Sequence, residues 1–185
     1  MSPYWILLGL IAVVVIYVIV LYNRLVTMRN RVDNAWSQVT VQLKRRWDLI
    51  PNLVSTVKGY AEHESKTLEA VIEARNAASQ VASGTVQQTA DAENVLSGAL
   101  RQLFALSESY PDLKANQNFA SLQTELSETE NKISYSRQFY NDTVMTFNTA
   151  IELFPASLLA SQMGFKARTY FEIDQEQTEP VKVEF

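Results

Sequence analysis

Cysteine is absent from this chain, and histidine occurs once, at His63. Without cysteine there is no disulfide framework, no zinc ribbon and no thiol nucleophile. With one histidine, multi-histidine metal centres and most histidine-based catalysis lack their parts. Glycine and proline number only 5 each, which excludes collagen-like and low-complexity chains. A basic excess is missing too: the formal charge of −4 argues against a general nucleic-acid binder. Neither G-x-x-x-x-G-K-[ST] nor G-x-G-x-x-G occurs, and no G-x-S-x-G elbow, so no loop for cradling phosphate and no strand-to-helix nucleophile stands out. What remains is 185 residues, 47% hydrophobic, enough for one domain with an appendage.

Charge is also missing from one end. No charged side chain occurs from Met1 to Asn23, and Ile6 to Leu21 is apolar apart from Gly9 and Tyr17. A helix from Tyr4 to Tyr22 would be about 28 Å long, close to the ~30 Å of a bilayer's hydrocarbon core. Tyr4, Trp5 and Tyr22 stand at its ends, where amphipathic aromatics prefer to lie. A cleaved signal peptide fits less well, because there is no basic leader, the apolar run is too long, and no small-x-small cleavage pattern follows. No Lys or Arg precedes the span, whereas Arg24, Arg29 and Arg31 follow it. The positive-inside rule then predicts a single pass through the inner (plasma) membrane, with the N-terminus outside and the remaining domain cytoplasmic.

Beyond residue 23 the apolar residues step by three and four, the spacing of one helix face. Leu25, Met28, Val32, Trp36, Val39, Leu43, Trp47 and Ile50 form a first stripe; Leu53, Val57, Tyr60, Val71, Ala74, Ala78 and Val81 continue it. Pro51 lies between the two, where a missing backbone donor predicts a bend or a restart capped by Asp48, either kink or full reversal. Ser83-Gly84-Thr85 predicts a stop, with Thr85 or Thr89 capping a third helix along Ala92, Leu96, Ala99, Leu103 and Leu106. After Tyr110-Pro111-Asp112, a long fourth helix carries Phe119, Leu122, Leu126, Ile133, Tyr140, Val144, Phe147, Ile151 and Phe154, with Thr129 and Ser136 on the same seam. Pro155 ends it and opens a short helix towards Gly164. The pattern predicts an all-α chain: a transmembrane anchor at 1–23, an antiparallel bundle of three to four long helices at 24–170, and an acidic extended tail at 171–185.

Several blocks then stand together. They are Tyr22-Asn23-Arg24-Leu25-Val26, Arg29-Asn30-Arg31-Val32, Ala35-Trp36-Ser37-Gln38, the run Val41 to Arg46, Asp48-Leu49-Ile50-Pro51-Asn52-Leu53-Val54, and Val57-Lys58-Gly59-Tyr60-Ala61-Glu62-His63-Glu64. Tyr110-Pro111-Asp112-Leu113-Lys114-Ala115, Leu122 to Leu126, Thr129 to Ile133, Tyr140-Asn141, Phe147-Asn148, Phe154-Pro155 and Gly164-Phe165 complete them. This pattern resembles the bacterial LemA family from the membrane segment to about residue 172, departing from it at Trp47 and at Tyr135-Ser136. The resemblance implies a single-pass membrane protein with a cytoplasmic helical bundle, and it implies no catalytic chemistry. It points to membrane-associated proteases and stress-response proteins as partners.

The candidate sites are few. Arg24, Arg29 and Arg31 flank the span and can meet anionic headgroups, at about 1 kcal/mol per basic residue. Lys44 lies about 30 Å further along a straight helix, beyond a ~8 Å Debye length, so Lys44, Arg45 and Arg46 are expected to pair with Glu125, Glu128 or Glu130. Together with Trp36 and Trp47 they form the candidate interaction surface; packing is the plainer role for both tryptophans. Asn34, Gln38, Gln42, Asn131, Arg137 and Asn141 lie near seams, where polar side chains fix register. His63 sits between Glu62 and Glu64, but the residue three before it is Tyr60, so no Glu-x-x-His motif exists. The sequence therefore predicts no catalytic residue, no cofactor and no metal site within one chain. The function it predicts is a membrane-anchored, non-catalytic helical scaffold or adaptor. Such a protein engages the lipid bilayer, further copies of itself as a homo-oligomer, and other membrane proteins, but not nucleic acid. An anionic-lipid-sensing or membrane-remodelling protein is the alternative, and an enzyme with a metal shared between subunits at His63 and Glu64 the least supported.

Overall fold

The computed structural model describes residues 3–172. They are all-α, with no strand among them: α1 (Pro3–Lys58), α2 (Ser65–Gln80), α3 (Val86–Ser107), α4 (Pro111–Lys114), α5 (Gln117–Glu152) and α6 (Ser157–Ala160). The expected helical bundle is present, built on α1, α2, α3 and α5.

Helix α1 does not break at Pro51. Proline has no N–H, so the carbonyl four residues earlier, that of Trp47, loses its intrahelical donor. Arg75 on α2 replaces it, placing Nε 3.3 Å from the Trp47 oxygen. Pro51 itself is exposed, where its ring crowds no neighbouring helix. The restart expected at Asp48–Pro51 is thus absent, and Asp48 lies within the helix rather than capping one. The chain turns instead at residues 59–64, where the Tyr60 and Ala61 N–H groups both donate to the Val57 carbonyl. Leu53 to Val81 is consequently two helices rather than one stripe; the gap between Tyr60 and Val71 marks the turn.

The remaining termini follow from local chemistry. Thr85 caps α3: its Oγ1 accepts from Gln88 N, and the Gln88 side chain accepts from Thr85 N, a reciprocal capping box. Asn116 caps α5, its Oδ1 accepting from Phe119 N at 3.0 Å. The turns after α6 close at Gly164, whose φ of 80° is left-handed. Phe165 N donates to Ala160 O and Gly164 N to Ser161 O, which satisfies the last carbonyls in a Schellman arrangement.

The chain divides into two compact units. The first comprises residues 3–38 and 138–169. Here Leu25, Val32 and Ala35 of α1 and Tyr140, Val144 and Phe147 of α5 are buried. Trp36 meets Tyr140 at a ring separation of 5.2 Å, and Phe165 lies between Phe147 (6.4 Å) and Tyr22 (5.8 Å), so the two helix segments run antiparallel. After Gly164 the chain is pinned along α5: Asn148 donates to Arg168 O (2.9 Å) and accepts from Arg168 N (2.8 Å), and the Tyr140 hydroxyl donates to Thr169 O (2.8 Å). Burial pushes the Tyr140 hydroxyl above its ordinary pKa, Asp33 adding to the effect and Arg168 opposing it. Before Leu21 the helix is different, because its large apolar side chains are exposed on nearly every side and the mean hydropathy of an 18-residue window reaches 2.9.

The second unit comprises residues 39–137 and 170–172. α1 contributes Val39, Leu43, Ile50, Leu53 and Val57 to its core, α2 Leu68, Val71, Ala74 and Ala78, α3 Ala90, Leu96, Leu100 and Leu103, and α5 Phe119, Leu126 and Ile133. Thr129 and Ser136 are buried on the α5 seam, as expected, but that seam does not reach Phe154, which is 80% exposed beyond the end of the helix. Phe171, the first residue of the expected tail, is buried; residues 173–185 lie outside the described residues.

Two stability measurements check these assignments, both read from urea unfolding of the detergent-solubilised protein. Arg75→Met strands the Trp47 carbonyl and is expected to cost about 1–3 kcal/mol, a cost that largely disappears in a Pro51→Ala background where the intrahelical donor is restored. Gly164→Ala is expected to cost about 1–2 kcal/mol, because an L side chain is strained at that φ although open space surrounds it.

Candidate functional site

The only basic side chain that the described core buries is Arg46, which lies on the inner face of α1 with 2% of its side chain exposed. The periodicity explains its position: Val39, Leu43, Arg46, Ile50, Leu53 and Val57 step by four and three, so the guanidinium falls on the apolar ladder. α3 offers the matching anomaly. Its buried ladder is Thr89, Glu93, Leu96, Leu100, Leu103 and Ser107, which places a carboxylate in the core.

These two side chains form an ion pair through Arg46 Nη2 and Glu93 Oε2. Arg46 Nη1 donates to Glu130 Oε2 of α5 at 2.8 Å and to Ser97 Oγ at 3.1 Å. The other Glu93 oxygen accepts from Trp47 Nε1 at 2.7 Å, which explains why an indole can be buried beside a carboxylate. One guanidinium thus ties α1 to α3 and α5, and neighbouring Trp47 and Arg75 tie α1 to α3 and α2. Removing two charges from water costs several kcal/mol per ion, offset only when geometry and hydrogen bonds are good in one arrangement. The arrangement therefore favours a single helix register. It contains no hydroxyl or thiol held by a base, and among the described residues no three His, Cys, Asp or Glu side chains stand close enough to hold a metal ion.

The remaining sequence-predicted residues scatter. Lys44 and Arg45 are exposed while Arg46 and Trp47 turn inward, so the basic run is divided and two of the five candidate interaction residues belong to the core. Of the three expected acidic partners, Glu130 is the one that Arg46 meets; Glu93 was hidden because a glutamate within a helix reads as surface. Trp36 is half-buried against Tyr140, and Arg29 lies over the Phe165 ring, 5.6 Å from its centroid, rather than standing free beside Arg24 and Arg31. His63 is exposed, and its neighbour Glu64 accepts from the Tyr110 hydroxyl at 3.2 Å; desolvation, and then this bond, raise the pKa of that hydroxyl.

A double-mutant cycle measures the buried pair. Arg46→Met alone is expected to destabilise by about 3–5 kcal/mol, because Glu93 is left charged and unpaired, while Arg46→Met with Glu93→Leu recovers most of that loss. Glu130→Gln is expected to cost at most about 1 kcal/mol, since that carboxylate is half exposed.

The LemA family profile matches residues 35–185. Protein LemA of Metamycoplasma hominis is 29% identical over 146 residues, 76% of this chain and 64% of that protein. Magnetosome protein MamQ 2 of Paramagnetospirillum magneticum is 26% identical over 175 residues (82% and 64%). Magnetosome protein MamQ of Magnetospirillum gryphiswaldense is 25% identical over 174 residues (81% and 64%). The matches thus span slightly less than two thirds of the length of these relatives. With a profile match over most of its length and an apolar N-terminal helix that fits a single-pass membrane anchor, this chain belongs to the LemA family.

Proposed function

We propose that this LemA-family protein is a membrane-anchored, non-catalytic helical scaffold that associates with further copies of itself and with other membrane proteins. One observation carries the proposal. The apolar segment of α1, exposed from Tyr4 to Val20, continues as the same helix into the packed core of the first unit, with Leu21 and Leu25 already buried. A helix that changes from lipid-facing to core-facing without a linker holds the packed body at a fixed position against the bilayer, which suits a platform. The polar core supports the same proposal, since the charges of Arg46 and Glu93 are paired with each other inside it and Trp47 donates to the same carboxylate. The positive flank of Arg24, Arg29 and Arg31 supports a cytoplasmic position for the body.

Cross-linking in native membranes, with copies labelled in two nitrogen isotopes and mixed before the reaction, tests self-association. Peptide pairs carrying both isotopes are expected; a species that yields only intrachain pairs and no partner would overturn the proposal. The lipid-sensing alternative rests on exposed Arg24 and Arg31. Anionic lipid enriched around the purified protein, and lost in Arg24→Gln with Arg31→Gln, would favour it; co-purified lipid of bulk composition would remove it.

A further inference from the structure

The most exposed large apolar side chain among the described residues is not in the membrane segment. It is Phe154, 80% exposed, just beyond the end of α5, and Leu153 (61%) and Leu158 (62%) accompany it. Water is a poor environment for three such neighbours on one short turn. From these residues we infer a second lipid-inserting element: the turn 153–158 dips into the same bilayer that α1 crosses, beside the emerging anchor. The inference rests on the anchored reading of α1.

The register within the first unit places the turn at the membrane. Trp36 of α1 packs against Tyr140 of α5 and the two segments run antiparallel. From Tyr140 to the end of α5 at Glu152 is 152 − 140 = 12 residues, and twelve residues back from Trp36 is Arg24. At the common rise of ~1.5 Å per residue, α5 ends level with Arg24, the first charge after the apolar span. Phe154 follows in the turn just beyond that end. A separate contact agrees: Phe165, shortly after α6, stacks on Tyr22 at 5.8 Å and lies under Arg29. The chain that leaves the turn is therefore fastened near the headgroup end of the span.

The charges around the tip suit that depth. Arg24 and Lys166 provide exposed cations near the end of the apolar span, Arg168 is paired with Asp33 further from it, and Glu152 is the one carboxylate of the segment 151–169, exposed at the end of α5. Bulky apolar groups below a ring of cations form the pattern of interfacial insertion, in which apolar side chains enter the acyl boundary and basic ones remain among headgroups.

Because the chain has no cysteine, single spin labels report depth directly. The full-length protein carries Phe154→Cys, Leu158→Cys, Ile11→Cys or Ser127→Cys, all at exposed positions, and is reconstituted into vesicles of phosphatidylethanolamine and phosphatidylglycerol. Labels at 154 and 158 are expected to collide with oxygen several-fold more readily than with a water-soluble nickel chelate, as the label at 11 does, while the label at 127 shows the opposite order. A water-like response at 154 and 158 with a lipid-like response at 11 would overturn the inference and leave the anchor intact. A water-like response at 11 would overturn both. Labels at 158 that are shielded from both reagents and broadened by a second label would overturn it by showing another copy covering the tip.

Discussion

Helix α1 carries two residue patterns that no single solvent satisfies, and the rest of the structure is arranged around that constraint. Up to Val20 its apolar side chains are exposed around the whole circumference, which water does not tolerate and hydrocarbon does. From Leu21 onward only one stripe is apolar, and that stripe is covered by the helices that follow. In the first unit the partners of α1 are α5 and the chain after Gly164, held by Asn148, Tyr140 and the Arg168–Asp33 ion pair. The anchor is thus a continuation of the fold.

In the second unit a charge inside the core plays the organising role. Apolar ladders alone allow helices to slide by a turn at modest cost, because one leucine or alanine resembles the next. A guanidinium that pairs with Glu93, Glu130 and Ser97 has one acceptable depth, and the Trp47 indole that satisfies the other Glu93 oxygen sharpens it. Replacing the pair by packed apolar residues often preserves stability, so its contribution here is to register more than to free energy. For the scaffold proposed above, a defined register is the useful property.

The sequence reveals the parts of this fold that depend on local chemistry. Helical periodicity, the Thr85 cap, the stop at Gly84 and the burial of Thr129 and Ser136 can all be read from residues near one another. Two features resist such reading because their causes are distant in sequence. Continuity through Pro51 depends on a donor from Arg75, twenty-four residues on, which no local pattern discloses. The division of Lys44–Arg45–Arg46 depends on Glu93 and Glu130 of other helices. The exposure of Phe154 is local in origin, since α5 stops ahead of Pro155 and the seam's spacing no longer carries the ring inward. In hindsight a signal existed for the second of these, since Arg46 and Glu93 each occupy a ladder position that is apolar elsewhere.

The central claim is that residues 4–22 stay in the bilayer as part of the working protein. Washing native membranes with alkaline carbonate and weighing the chain in each fraction tests it most directly. The account expects a chain that still carries residues 4–22 and remains with the membrane pellet; a chain released to the supernatant, or one whose mass begins after residue 23, would contradict it.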